Sequence, residues 1–287
     1  MKVLVTGVKG QLGFDVMEQL NKCGIEAVGT DVEEMDITDK KEVETVLLSE
    51  KPDGVIHCAA YTAVDGAEDN VDLCRNINAE GTKNIAEICR KLDCKMMYIS
   101  TDYVFDGQGV RPWEPDDERR PLNVYGQTKC EGEEAVEKLL DKYFIVRIAW
   151  VFGLNGNNFI KTMLRLGKTK DSLTVVSDQI GSPTYTYDLA KLLVDMVQTE
   201  EYGKYHATNE GLCSWYEFAC EIFRQTGIAV EVKPVNSEEY QAKARRPFNS
   251  RMNKDKLEDR GFQRLPDWKD ALHRYLLALH EIEDEID

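Results

Sequence analysis

Short apolar runs alternate with longer amphipathic stretches through the first half of the chain. Val3-Leu4-Val5 is apolar without a break, which suits a strand buried on both faces. Leu12, Val16, Met17 and Leu20 then recur at helical spacing and predict a helix to about residue 20. The pair repeats. Glu26-Ala27-Val28-Gly29-Thr30 reads as a second strand and residues 40–50 as a second helix, with Asp39 and Glu42 at capping-box spacing. Val55-Ile56-His57 is a third strand, with the small residues Cys58, Ala59 and Ala60 at its exit. Residues 71–92 form a long helical pattern, and Met96-Met97-Tyr98-Ile99-Ser100 a fourth strand. Residues 106–124, rich in glycine, proline and charge, read as a loop. A helix containing Tyr125 and a fifth strand, Phe144-Ile145-Val146-Arg147-Ile148-Ala149, close this half.

Strand and helix alternating over short links predict an α/β fold, a doubly wound parallel sheet with right-handed crossovers. After about residue 150 the rhythm loosens. Helices near 158–166, 187–197, 214–226 and 267–280 are interleaved with short strands near 173–176, 204–207 and 230–232. Residues 1–150 read as the sheet domain and 151–287 as a smaller C-terminal α/β lobe, with the chain crossing between the two.

The turn after the first strand adds chemistry. Gly7-Val8-Lys9-Gly10-Gln11-Leu12-Gly13 has the spacing G-x-x-G-x-x-G between a strand and a helix. Glycines there let the backbone approach a pyrophosphate, which the helix N-terminus attracts. The pattern makes this a Rossmann-type domain binding a dinucleotide through Gly7, Gly10, Gln11, Leu12 and Gly13. Asp31, at the end of the second strand, stands where a carboxylate accepts from a ribose 2′-hydroxyl. That favours NADH, while Lys9 inside the loop offsets repulsion of a 2′-phosphate, so NADPH stays open. Asp36 and Ile37 flank the adenine position. Cys58, Ala59, Ala60 and Tyr61 form a wall against which a flat cofactor lies, although small residues there equally suit packing under a helix. His57 reads as a satisfied strand histidine.

Composition narrows the class. The chain has 287 residues, 42% hydrophobic and 31% charged, and no apolar run long enough for a membrane span. The net charge of −16 argues against nucleic-acid and anionic-membrane partners. Part of that charge is the tail from Glu281 to Asp287, read as a solvated helix end. Eight scattered cysteines, none in a C-x-x-C pair, read as reduced thiols of a cytoplasmic protein. No zinc site is expected.

Tyr125-Gly126-Gln127-Thr128-Lys129 is the stretch that changes the picture most. In a helix, Tyr125 and Lys129 share one face. A nearby ammonium favours phenolate, so Lys129 is expected to lower the pKa of Tyr125 and suit it to proton exchange with a substrate oxygen. Polar Ser100, Thr101 and Asp102 end the fourth strand, where a parallel sheet places its ligand crevice.

These residues together resemble the extended short-chain dehydrogenase/reductase family, and within it the dTDP-4-dehydrorhamnose reductases. The resemblance runs from the glycine loop through Ser100-Thr101-Asp102-Tyr103-Val104-Phe105 and Asn123-Val124-Tyr125-Gly126-Gln127-Thr128-Lys129. Asn157-Asn158-Phe159, Asp178-Gln179-Ile180-Gly181-Ser182-Pro183-Thr184 and Ala244-Arg245-Arg246-Pro247-Phe248-Asn249-Ser250-Arg251 carry it into the narrower group. It implies catalytic roles for Tyr125 (proton donor to a sugar ketone), Lys129, Thr101 (hydrogen bond to the carbonyl) and Asn78 (organiser of a relay water). It implies substrate contacts from Asp102, Tyr103, Trp150, Asn158 and Arg245. The expected reaction passes a hydride from NADPH or NADH to C4 of a dTDP-4-dehydro-sugar, giving dTDP-L-rhamnose. Some relatives hold magnesium at a dimer contact through acidic side chains, with Asp15 and Asp188 the positions to compare. A homodimer is compatible with this, and no metal is expected here. Two other readings stay open. One is another sugar-nucleotide reductase or epimerase of the superfamily. The other is a non-catalytic subunit resembling the regulatory subunit of methionine adenosyltransferase.

Overall fold

The computed structural model describes residues 1–286, with side chains to residue 282. The acidic tail therefore falls mostly outside the described side chains, and Asp287 outside the described residues altogether. Five parallel strands come from the first half: β1 (Lys2–Thr6), β2 (Glu26–Thr30), β3 (Gly54–His57), β4 (Lys95–Thr101) and β5 (Tyr143–Ile148). They lie in the order β2-β1-β3-β4-β5.

Side chains alternate across the sheet and feed two cores. Val3 and Val5 of β1 pack with Leu12, Val16 and Leu20 of helix α1 (Gln11–Lys22) on one face. Leu4 points the other way, toward Val43 and Leu47 of helix α2 (Lys40–Glu50) and Ile85 of the helix Thr82–Leu92. Both faces are covered by helices, which explains the unbroken apolar runs. A third core, with Phe152, Phe218, Trp268 and Tyr275, belongs to the second half of the chain.

Several local expectations change. The second half returns to the first sheet: strand Gly203–His206 pairs in parallel with β5 and becomes its sixth strand. Leu189, Leu193 and Val197 of helix Thr186–Val197 complete the core under α1. The capping box at α2 is half formed. The Asp39 carboxylate accepts from Lys41 N–H (2.8 Å) and Glu42 N–H (3.4 Å). Glu42, however, accepts from Asp36 N–H at 2.9 Å, pinning the loop before the helix. Residues 71–92 are not one α-helix. A π-helical turn, Asn76–Gly81, separates Val71–Arg75 from Thr82–Leu92. All eight cysteines are free thiols, and no described helix is long and apolar enough to cross a membrane.

Candidate active site

A cavity of about 970 Å³ opens at the carboxyl ends of β1, β3, β4 and β5. This is where a parallel sheet reverses its strand order and leaves a crevice. The glycine loop forms one end. Gly7 adopts φ 70°, and a Cβ on it would lie 2.7 Å from Ala59 N. A Cβ on Gly13 would lie 2.2 Å from Gly7 O. Only bare backbone fits this turn. Gly10 precedes the first turn of α1, and Gly7, Gly10, Gln11, Leu12 and Gly13 all line the cavity. The first N–H groups of a helix have no partner inside it, so this end is suited to a diphosphate.

Asp31, Asp36 and Ile37 line the same end. The Asp31 carboxylate accepts from Lys9 N–H and Val32 N–H, each at 2.9 Å. The Lys9 ammonium turns outward to Glu33 at 2.6 Å. Asp36 accepts from the N–H and hydroxyl of Thr38 at 2.9 and 2.8 Å. Cys58, Ala59 and Ala60 form the wall after β3, and burial pushes the Cys58 thiol up to about 12. Tyr61 does not line the cavity. Its backbone is clamped by Asn78, which accepts from Tyr61 N–H at 2.8 Å and donates to Tyr61 O at 3.1 Å. Asn78 also donates to the Thr128 hydroxyl at 3.1 Å. Its side chain is thus committed to holding the wall, and it too lies behind the cavity.

The other end is built by the helix Val124–Leu139. Asn123 caps it, accepting from Gly126 N–H at 2.8 Å. A Cβ at Gly126 would lie 2.2 Å from Tyr103 O, so the glycine lets this helix press against the turn Asp102–Val104. Tyr125 thereby meets Tyr103 edge-on, ring centroids 5.5 Å apart. Thr101, Asp102, Tyr103, Tyr125 and Lys129 all line the cavity.

Their protonation departs from expectation. Lys129 donates to Ile99 O at 2.7 Å and sits 4.1 Å from the centre of the Tyr98 ring. Burial brings its ammonium down to about 7. The Tyr125 phenol is raised, not lowered: desolvation dominates, the Thr101 hydroxyl opposes it, and the Asp102 charge adds to it. Tyr125 is a phenol at neutral pH, the form a proton donor needs.

Of the expected sugar-side residues, Trp150 lines the cavity in a left-handed conformation (φ 51°), and its ring stacks on Trp215 at 3.9 Å. Left-handed backbone in so bulky a residue is strained and clusters at functional sites. Asn158 does not reach the cavity. It caps the helix Phe159–Gly167 and donates to Gly153 O at 2.9 Å and to Gln11 at 3.2 Å. Arg245 is exposed and outside the cavity lining. Its neighbour Arg246 holds Asp65 through two bonds of 3.0 and 2.7 Å. Asp15 bonds the Thr186 hydroxyl, and Asp188 receives both Arg274 nitrogens at 2.7 Å.

Sequence reasoning missed Trp215, which lines the cavity, and gave Ser250 only as part of a family segment without its partner; Ser250 donates to Asp102 at 2.5 Å. It also missed the buried cluster behind β4, where Glu133 binds Ser100, Arg147 and Arg119. The available signal for Glu133 was its position four residues after Lys129, on the same helix face. For Trp215 there was none.

A crevice with bare backbone at its diphosphate end and a phenol and lysine one helical turn apart at the other is built as in the extended short-chain dehydrogenases/reductases, and this chain is one of them. Within that class it belongs to the RmlD substrate binding domain family, whose profile matches residues 1–281. The spore coat polysaccharide biosynthesis protein SpsK of Bacillus subtilis is 40% identical over 96% of both chains. A crystal structure of a dTDP-4-dehydrorhamnose reductase from Clostridium acetobutylicum superposes with a TM-score of 0.95 at 46% identity, covering 98% of this chain and 100% of that one. The dTDP-4-dehydrorhamnose reductase of Bacillus anthracis, solved in complex with NADP, gives 0.94 at 43% identity over 96% and 99%.

Proposed function

We propose that the protein reduces the C4 ketone of dTDP-4-dehydro-L-rhamnose to dTDP-L-rhamnose with NADPH or NADH. The observation that carries this reading is the convergence of Thr101, Tyr125 and Lys129 on one cavity with the glycine loop. A reduced nicotinamide supplies the hydride. The chain's own residues position and polarise. Gln11, Leu12 and Gly13 would hold the diphosphate by backbone N–H groups at the start of the helix, with Gly7 and Gly10 shaping the turn, Asp31 would hold the ribose, and Cys58, Ala59 and Ala60 would form the wall. Tyr125 hands its proton to the oxygen that gains charge at C4, and Thr101 donates a hydrogen bond to it. Lys129, cationic or neutral near pH 7, replenishes the Tyr125 proton and bonds the nicotinamide ribose. Asp102, Tyr103 and Trp150 face the sugar, and Arg245 swings toward the nucleotide diphosphate, with its fork suited to paired oxygens.

Asp31, Glu33 and Glu34 make the ribose end acidic, and Lys9 is already paired there. This supports use of NADH alongside NADPH. A soluble homodimer in the cytoplasm is consistent with the reading. A 36% identical relative, the dTDP-4-keto-6-deoxy-D-glucose reductase of Streptomyces niveus, supports a second one, a related deoxy-sugar ketone as substrate.

The test is ketone-dependent loss of 340 nm absorbance with each coenzyme. Tyr125→Phe is expected to keep coenzyme affinity and lose about 100-fold or more in kcat. Unchanged turnover in that variant refutes the mechanism. A rate with another dTDP-4-keto sugar, and none with this one, selects the second reading. Coenzyme binding with no ketone turnover selects the regulatory subunit.

A further inference from the structure

Asp102 is only 2% exposed, although it lines the cavity. A carboxylate so enclosed needs donors. It has them: the Thr101 hydroxyl at 3.0 Å, the Ser250 hydroxyl at 2.5 Å, and the backbone N–H groups of Asp102 and Tyr103. Burial raises the acid to about 6, and these donors hold it there, ionised at neutral pH.

The consequence falls on Thr101. A hydroxyl has one proton and two lone pairs. Thr101 gives its proton to Asp102 at 3.0 Å and accepts from Tyr103 N–H at 3.2 Å, beside Tyr125 in the cavity lining. Its proton and one lone pair are assigned, so the hydroxyl is oriented before any ketone arrives.

Ser250 connects this arrangement to the second half of the chain. It is 2% exposed, and its segment is tied down around the site. Ser250 N–H donates to Ile180 O at 2.8 Å and Asn249 N–H to Gly107 O at 2.9 Å. Farther back, Ala244 N–H donates to Asp65 at 2.9 Å, and Asn123, the cap of the Tyr125 helix, donates to Arg245 O at 2.7 Å.

We infer that Asp102 is a positioning residue: anchored by Ser250, it sets the Thr101 hydroxyl against Tyr125 and so couples the C-terminal segment to the reacting oxygen. This rests on the site reading above. This role is separable from facing the sugar, which would act on substrate affinity. When the ketone oxygen accepts the Thr101 hydrogen bond instead, Asp102 keeps the Ser250 hydroxyl and the neighbouring backbone N–H donors, so the carboxylate stays satisfied while the hydroxyl turns. Its negative charge also keeps Tyr125 protonated and ready to donate.

The experiment compares wild type with Asp102→Asn, Ser250→Ala, Thr101→Ala and the double variant Thr101→Ala/Asp102→Asn. Each is assayed for kcat and KM with dTDP-4-dehydro-L-rhamnose and for NADPH affinity by fluorescence. Asp102→Asn is expected to lose about 10- to 100-fold in kcat, the scale of a misplaced reacting group. Ser250→Ala is expected to lose about fivefold, as for one hydrogen bond. In both, KM and coenzyme affinity stay near wild type. The double variant is expected to be no slower than Thr101→Ala alone, because the two residues act as a unit. Losses that multiply, or a raised KM with kcat intact, overturn the inference. If Asp102→Asn does not fold, Ser250→Ala decides by the same split of kcat against KM. Wild type that binds NADPH but turns over no ketone overturns the site reading and this inference with it, a result visible before any variant is made.

Discussion

His57 stands at the end of β3 between two threonines. Thr6 Oγ1 lies 2.7 Å from Nδ1 and Thr82 Oγ1 3.1 Å from Nε2. Thr82 donates its own proton to Asn78 O at 2.7 Å, so it accepts from Nε2–H, and Thr6 donates to Nδ1. The neutral ring is satisfied, and burial brings its pKa down to about 3. His206, bonded to Asn253 O at 3.1 Å, is lowered to about 3 by the same cause. The sign follows. Between about 3 and the unfolded value near 6.5 the unfolded chain binds more protons than the native one. Stability is therefore full above about pH 6.5 and is lost on acidification, by up to ~1.4 kcal/mol per pH unit for each histidine. Urea unfolding at a series of pH values from 7 down to 4.5 should show this decline, and His57→Gln should flatten it. A slope unchanged in that variant contradicts the assignment. The satisfied histidine was readable from its place in an apolar strand. The raised Tyr125 was not, because desolvation depends on what the rest of the chain lays over the site.

At the scale of elements, the strand–glycine loop–helix unit was legible in full, since strand period, glycine spacing and helix period are all local. The close approach of Gly13 to Gly7 makes it testable. Gly13→Ala must displace the loop, because its methyl would lie 2.2 Å from Gly7 O. NADPH affinity is expected to weaken more than about tenfold while far-UV circular dichroism stays native, the fold resting on the cores rather than this turn. Retained affinity would remove the loop from the coenzyme site. The π-helical turn was not legible. Apolar spacing in residues 71–92 fits an uninterrupted helix, and one extra residue per turn leaves the pattern nearly intact. That turn aims Asn78 at Tyr61, a contact seventeen residues away in sequence.

Across the whole molecule, Glu133 joins parts that sequence keeps apart. Burial pushes its carboxyl up, but Arg147, Ser100 and Arg119 pull it down to about 2. Arg147, 1% exposed, also donates to Pro115 O at 2.8 Å and lies 3.4 Å from His206. The cluster thus links the Tyr125 helix, β4, β5, the 106–123 loop and the sixth strand. Glu133→Ala leaves Arg147 buried and unpaired, and should cost about 3–5 kcal/mol in urea unfolding. A loss below about 1 kcal/mol would mean that the cluster relaxes to water.

The sequence alone determined the alternating parallel sheet, the glycine loop and the Tyr125–Lys129 helix, because each is written in spacings shorter than about twenty residues. Tertiary structure decided the rest. It brought strand Gly203–His206 to β5, Trp215 onto Trp150, and Ser250 to Asp102. Those pairings join residues far apart along the chain, so no local period encodes them. The protonation of Tyr125, Lys129 and Asp102 followed, since the cost of charge there is set by water removed when the two halves close over the site.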